Sequence, residues 1–316
     1  MGNLRRSNDV ILAKVESVYA TDPVPVAASN AVLVQNISFS TEGLRMNARP
    51  AVRANIGQLQ SVFGGKLGRL SFEVEVKGSG TAGTAPEVGP LLKACGFGQT
   101  IATATSVTYK PVSASHDSIT LYWFEGGRKK HILTGARGNV SIRCEAGGIA
   151  VFVFEFVGHH TAPTDATQPA PTYSSVVPKA ALSMAISLGA VTSAIVRSWQ
   201  VDVNNSLVMP PSVAAADGYG QIQIGQRDVA GQVVMDAELA SVIDVDAQFA
   251  AGTGITFGSG TLGSVAGNRF TVTGATSGLY WRDVQNGEQD GLVVRTLPFG
   301  IVESSSGNDE VSLVFT

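Results

Sequence analysis

Chemistry in a protein starts from reactive side chains at workable spacings, and this sequence offers few. Its histidines are His116, His131, His159 and His160. None stands in HExxH, in HxE or in a Cys/His cluster, so no metal-ligand set is spelled out. The adjacent pair His159-His160 opens a Pro-rich stretch and reads as solvated. Cys95 and Cys144 form neither CxxC nor a metal spacing; each reads as a buried thiol. Gly258-Ser259-Gly260-Thr261-Leu262-Gly263 fits GxGxxG by letter. A dinucleotide cradle needs a strand before it and a helix after it, whereas this run lies in Gly/Ser/Thr-rich β sequence and reads as a turn. No GxxxxGK[ST] loop and no GxSxG elbow is spelled out. The carboxylates show no paired spacing for acid–base work. Arg128-Lys129-Lys130-His131, beside Gly126-Gly127, is the one basic cluster. It reads as a solvated hairpin tip, with a charged contact to a neighbouring subunit as the alternative. The sequence argues against an enzyme and asks for no cofactor or metal.

The elements around these residues follow from composition and periodicity. A chain of 316 residues has room for about two domains. With 44% hydrophobic residues it can build sizeable cores, yet only 15% are charged, against roughly 25% for an ordinary soluble chain. So few charges imply that part of the surface is covered by other chains. A net charge of -3 leaves no basic excess to hold nucleic acid by phosphate neutralisation. Met1-Gly2-Asn3-Leu4-Arg5-Arg6 is followed by no apolar stretch long enough for a signal peptide, and Arg6 stands where myristoylation needs Ser or Thr. Residues 180–196 carry no charge but are short and broken by Ser and Gly. They read as strand, turn and strand, and no membrane insertion is expected.

Residues 159–178 hold Pro163, Pro169, Pro171 and Pro178 and read as an extended linker. This divides the chain into a first β domain (1–160), a linker (161–178) and a second β domain (179–316). Leu70, Phe72, Val74 and Val76 alternate with polar residues, as a half-buried strand does. Val140, Ile142 and Cys144 also alternate, and after Gly147-Gly148 the run from Ile149 to Phe156 reads as the returning strand of a hairpin. Helix signals are local. Thr84-Ala85-Pro86-Glu87 resembles a capping box ahead of Val88, Leu91, Leu92 and Cys95 on one face, and residues 244–252 suggest a matching short helix.

The two portions resemble each other. When the chain is slid along itself, Gly57-Gln58-Leu59-Gln60 meets Gly220-Gln221-Ile222-Gln223. In the same register Leu70, Phe72, Val74 and Val76 fall on Val233, Met235, Ala237 and Leu239. Leu121-Tyr122-Trp123 then meets Leu279-Tyr280-Trp281 after a small length change. Three elements in one order favour duplication. Each copy has a long stretch before its strand, residues 45–65 and 208–228, which reads as irregular. Apolar residues at that density on a projecting loop predict burial against another chain.

Residues 9–39, 70–97 and 126–158 together resemble the major tail tube proteins of long-tailed bacteriophages. The most diagnostic piece is LSFEVEVKGSGTAGTAPEVGPLLKACGF, from Leu70 to Phe97. The resemblance implies a mainly β fold of two duplicated tail-tube-like sandwich or barrel units, each with a short flanking helix and a long projecting loop. It implies a structural virion protein, assembled in the host bacterial cytoplasm, that stacks as rings into a tube for genome delivery. The chain itself would be the main partner, with the tape measure protein in the lumen and tail terminator and distal tail proteins at the ends. Double-stranded DNA would pass without specific binding. Contacts between rings would come from Met46, Arg49, Arg53, Ile56, Leu59 and Phe63, and from Met209, Ile222 and Ile224 in the second copy. Two units per chain would close a pseudo-six-fold ring from three chains. Two other classes stay open: a receptor-binding tail fibre, baseplate or adhesin module, and a carbohydrate-processing enzyme on a β-scaffold.

Overall fold

The computed structural model describes residues 5–192 and 194–316. Met1 to Leu4, where a leader would start, and Ser193, within the uncharged run, lie outside them. The first half supplies β1 (Val10–Val15), α1 (Ala27–Asn30), β2 (Ala31–Val32), β3 (Gln35–Asn47), β4 (Val62–Glu75), α2 (Gly89–Ala94), β5 (Phe97–Ala102), β6 (Ser106–Pro111), β7 (Ile119–Glu125), β8 (Lys129–Glu145) and β9 (Val151–Asp165). Then come β10 (Ser187–Leu188), β11 (Val196–Asp202), β12 (Asn205–Val208), β13 (Gln223–Arg227), β14 (Ala230–Asp236), α3 (Val245–Ala251), β15 (Phe257–Leu262) and β16 (Phe270–Gly274). The chain ends in β17 (Leu279–Trp281), β18 (Gln285–Gln289), β19 (Leu292–Ile301) and β20 (Val311–Phe315). The protein is mainly β, as the alternating runs require.

Two antiparallel sheets and a small ribbon organise the strands. The larger sheet runs from β3 through β4 and β9 to β8, where it forks. The early part of β8 pairs with β7, which leads to β1 and β2. Its last residues, Ser141 to Glu145, pair with β11, which leads through β14 to β19, with β17 and β18 both on the far side of β19. The smaller sheet has the order β10-β15-β16-β20-β6-β5. Both sheets therefore cross between the halves, through β8 with β11 and through β20 with β6. The ribbon is β12 with β13.

Strict alternation places one apolar face of each sheet against the other. Leu70, Phe72 and Val74 of β4 and Phe152, Phe154 and Phe156 of β9 are fully buried. Phe152 meets Phe270 of the smaller sheet at 5.5 Å between ring centroids, and Phe270 meets Phe315 at 4.9 Å. One apolar core thus spans both halves. The β8–β9 turn forms at Gly147, whose φ of 75° is the left-handed conformation glycine supplies.

Several local expectations change. Helix α2 buries Val88, Leu91, Leu92 and Cys95, but its N-cap is Val88 with no side-chain bond, so the Thr84–Glu87 box is unused. Burial under the sheet holds this short helix instead. Helix α3 forms within 244–252 and is capped, with Asp244 accepting from the Ala247 N–H at 2.9 Å and Gly252 closing the end at φ 60°. The GxGxxG run is strand β15 with a register shift between Gly258 and Thr261, a bulge rather than a turn. β14 ends at Asp236, which leaves Leu239 outside the strand and 74% exposed. Among its described residues the uncharged run holds the two-residue β10 before β11 begins. No helix among the described residues is long and apolar enough to cross a membrane.

Candidate assembly surface

At the open end of the larger sheet, β3 and β4 continue as a two-stranded arm, paired from Gln35 with Glu73 to Asn47 with Val62. The irregular stretch expected at 45–65 is therefore strand at both ends, and only the tip, residues 48–61, lacks strand. Val52 and Ile56 in that tip are as exposed as in an unfolded chain, at 104% and 108%. Met46 and Phe63 stay about half exposed on the arm, Leu59 is half-buried, and Arg49 and Arg53 are exposed. The Arg53 side chain donates to the Gly57 carbonyl and curls the tip.

An isolated two-stranded ribbon is marginal in water, so the arm's base needs outside support. It comes from the other half. Residues 209–222, between β12 and β13, lie as a strap across that base. The Tyr219 hydroxyl donates to the Gly43 carbonyl, and Arg45 stacks 4.0 Å over the Tyr219 ring while donating to the Gly218 carbonyl at 3.2 Å. Glycine is required where arm and strap touch: a side chain on Gly65, at φ 122°, would sit 2.0 Å from the Asp217 carbonyl oxygen. Beneath them Leu67, Val157, Tyr219 and Ile222 form their own apolar cluster, with Leu207 and Met209 against it.

A polar row fastens the strap from below. The Ile222 N–H donates to the Tyr19 hydroxyl at 2.7 Å, which contacts His159 Nε2 at 3.1 Å, and His159 Nδ1 meets Asp217 at 2.5 Å. Arg137 donates to the carbonyls of Ile222 and His116, both at 2.6 Å. Burial pushes the Tyr19 hydroxyl's pKa up and lowers that of Arg137. His159 and His160 are thus partly buried residues of β9, not a solvated pair opening a linker. His160 stacks on His131 and packs on Phe39 of the arm's root; burial, with His131, Lys66 and Lys129 adding to it, pushes its pKa down to about 4. Tyr19, Arg137, Asp217 and Tyr219 escape sequence reasoning. The one signal for the strap is the turn-prone Asp217-Gly218 pair.

The expected contact residues therefore separate. The arm brings Met46, Arg49, Arg53, Ile56 and Phe63 together on the outside. Ile222 is fully buried and Ile224 is 8% exposed, both packed within the chain, and Met209, at the start of the strap, is half-buried against the same cluster as Ile222. Gly57–Gln60 and Gly220–Gln223 share a pattern but not a place.

Among the described residues no group of three His, Cys, Asp or Glu side chains is arranged to hold a metal. Both thiols are buried, and burial raises the Cys144 pKa to about 11. The Arg128 cluster is a hairpin tip, with Lys130 4.3 Å over the Tyr122 ring and His131 Nε2 3.1 Å from Glu125.

A family model described as phage tail tube protein matches residues 7–301, nearly the whole chain. The chain belongs to the phage tail tube protein family. No curated protein matches it. A tail tube protein is a structural component of the virion that assembles with itself and meets other tail components.

Proposed function

We propose that this chain polymerises as stacked rings into the tail tube through which the phage genome is delivered. The observation that carries the reading is the junction inside the chain. β11 of the second half adds to β8 of the first in one sheet, and β20 adds to β6 in the other. Side-by-side sheet addition is thus already used within the chain, and the β17–β18 end, among the described residues, offers a further edge for it. Open edges are pairing surfaces, and a closed ring removes them.

In this reading the chain comprises two units descended from one, residues 1–160 and 179–316, joined by 161–178. Three chains close a pseudo-six-fold ring, and the arm of the first unit bridges to the next ring through Met46, Arg49, Arg53, Ile56, Leu59 and Phe63. The tape measure protein occupies the lumen during assembly in the host bacterial cytoplasm, and terminator and distal tail proteins cap the ends. DNA passes without specific binding. The matching helix, strand pair and Leu-Tyr-Trp strand of the two halves support the duplication. Negative-stain microscopy of concentrated purified protein tests the reading: rings or tubes are expected, and compact monodisperse particles contradict it.

A further inference from the structure

Two ends of the forked larger sheet, the β3–β4 arm and the β18–β19 end, carry opposite charge. From Gly43 to Phe72 the arm holds Arg45, Arg49, Arg53, Lys66 and Arg69 and no acidic residue, in a chain whose net charge is -3; Arg69, at the root, is paired with Glu42 and Glu155, which leaves the excess toward the tip. At the far end, residues 236–251 hold four acidic residues and no basic one, and residues 283–294 hold three and none. These two segments are one surface: the Ala237 N–H donates to the Val293 carbonyl at 2.9 Å, and Arg295 of β19 reaches Asp246 of α3 at 3.1 Å. Leu239, Phe249, Leu292 and Val293 stand on it between 45% and 74% exposed. Arg197 reaches Asp290 at 3.6 Å, but Asp290 stays 81% exposed and Glu288 is exposed on β18.

We propose that the basic, apolar arm tip of one copy docks on this acidic, apolar end of a second copy. The proposal rests on the polymerising reading above and names the acceptor of the arm. Charge complementarity selects the occupant: Arg49 and Arg53 of the tip have no carboxylate partner among the described residues, and at the acidic end Glu288 is exposed and Asp290, though reached by Arg197, stays 81% exposed. Exposed ion pairs add little affinity, so burial of Val52 and Ile56 against Leu239, Phe249 and Leu292 supplies the adhesion while charge sets approach and register. The tip cannot serve its own chain's acceptor, since β4, β9, β8, β11, β14 and β19 separate β3 from β18, about 30 Å at the usual strand spacing. The tip's hydrogen bonds accordingly run among its own residues, Ala51 to Arg49 and Arg53 to Gly57. A contact between unlike ends leaves one of each free on every added copy, so it propagates.

Cross-linking tests this in the full chain. Ile56→Cys and Leu292→Cys are made separately, mixed, concentrated and mildly oxidised; the native thiols are buried. The expected product is a disulfide between positions 56 and 292 of different chains. In parallel, Arg49→Glu with Arg53→Glu should lower polymerisation about tenfold or more, and mixing with Glu288→Lys/Asp290→Lys chains should restore it. Circular dichroism confirms that each variant keeps its fold. Tubes that form without the 56–292 bond, or that ignore the charge reversal, overturn this acceptor while leaving the tube reading intact. A wild-type chain that never assembles removes both.

Discussion

The stretches 45–65 and 208–228, which align when the sequence is slid along itself, have opposite fates: the first forms the arm's outer part, the second holds the strap of residues 209–222 and β13. The arm runs out as a long hairpin whose tip residues Val52 and Ile56 stand fully exposed. The strap folds back, buries Ile222 completely and pins the arm's root through Tyr219, Asp217 and Ile222. The cause is the partner within reach rather than the segment's own pattern. Ile222 finds Leu67 and Val157 to cover it, whereas the arm lies on the outermost strands of the sheet. Matching stretches of sequence thus end as an exposed arm tip in one half and an internal brace in the other.

Replacing the two isoleucines by Asp should break this comparison most sharply. Ile222→Asp places a charge in a sealed apolar cluster and should cost about 3 kcal/mol or more of stability, read as a fall in the denaturant midpoint. Ile56→Asp should leave stability within about 0.5 kcal/mol yet abolish assembly in sedimentation. Equal destabilisation by both would mean that the tip packs on its own chain.

Acid should act at the arm's root. His160 is pushed to about 4 in the folded protein, below the usual value near 6.5, and burial lowers His131 in the same direction. The unfolded chain then binds more protons between those two pH values. Stability is therefore full above about pH 6.5 and is lost as pH falls toward 4, with no further loss from His160 below that. Discounted for partial exposure, the loss is on the order of 1 to 2 kcal/mol. His160→Gln should flatten that part of the stability–pH curve, and an unchanged slope would contradict the assignment.

The helices give the smallest contrast. Asp244→Ala removes the α3 cap and should cost about 1 kcal/mol, while Thr84→Ala, at the unused box before α2, should cost under about 0.5 kcal/mol. Thermal melting of both variants checks the difference.

Local signals were legible in the sequence and remote ones were not. The β8–β9 hairpin follows from alternation around Gly147-Gly148, and α3 from Asp244 and Gly252, because each is decided by neighbouring residues. The buried face of α2 was readable while its cap was not, since tertiary burial replaced the cap. The strap depends on Tyr19, His159 and Arg137, far from Ile222 along the chain, and no periodicity links such residues. For the same reason Leu59 and Ile222 looked equivalent although only one has a core to enter, and His159-His160 looked like a linker although β9 continues to Asp165.

A cryo-EM map of tubes grown from the purified chain tests the central claim most directly. The account predicts a hollow tube with three chains in each ring, the arm of residues 45–65 crossing to another copy and the strap closed on its own chain. Six chains in each ring would contradict the division of the chain into two ring-forming units. A strap that bridges chains while the arm lies folded on its own would contradict the contrast between them.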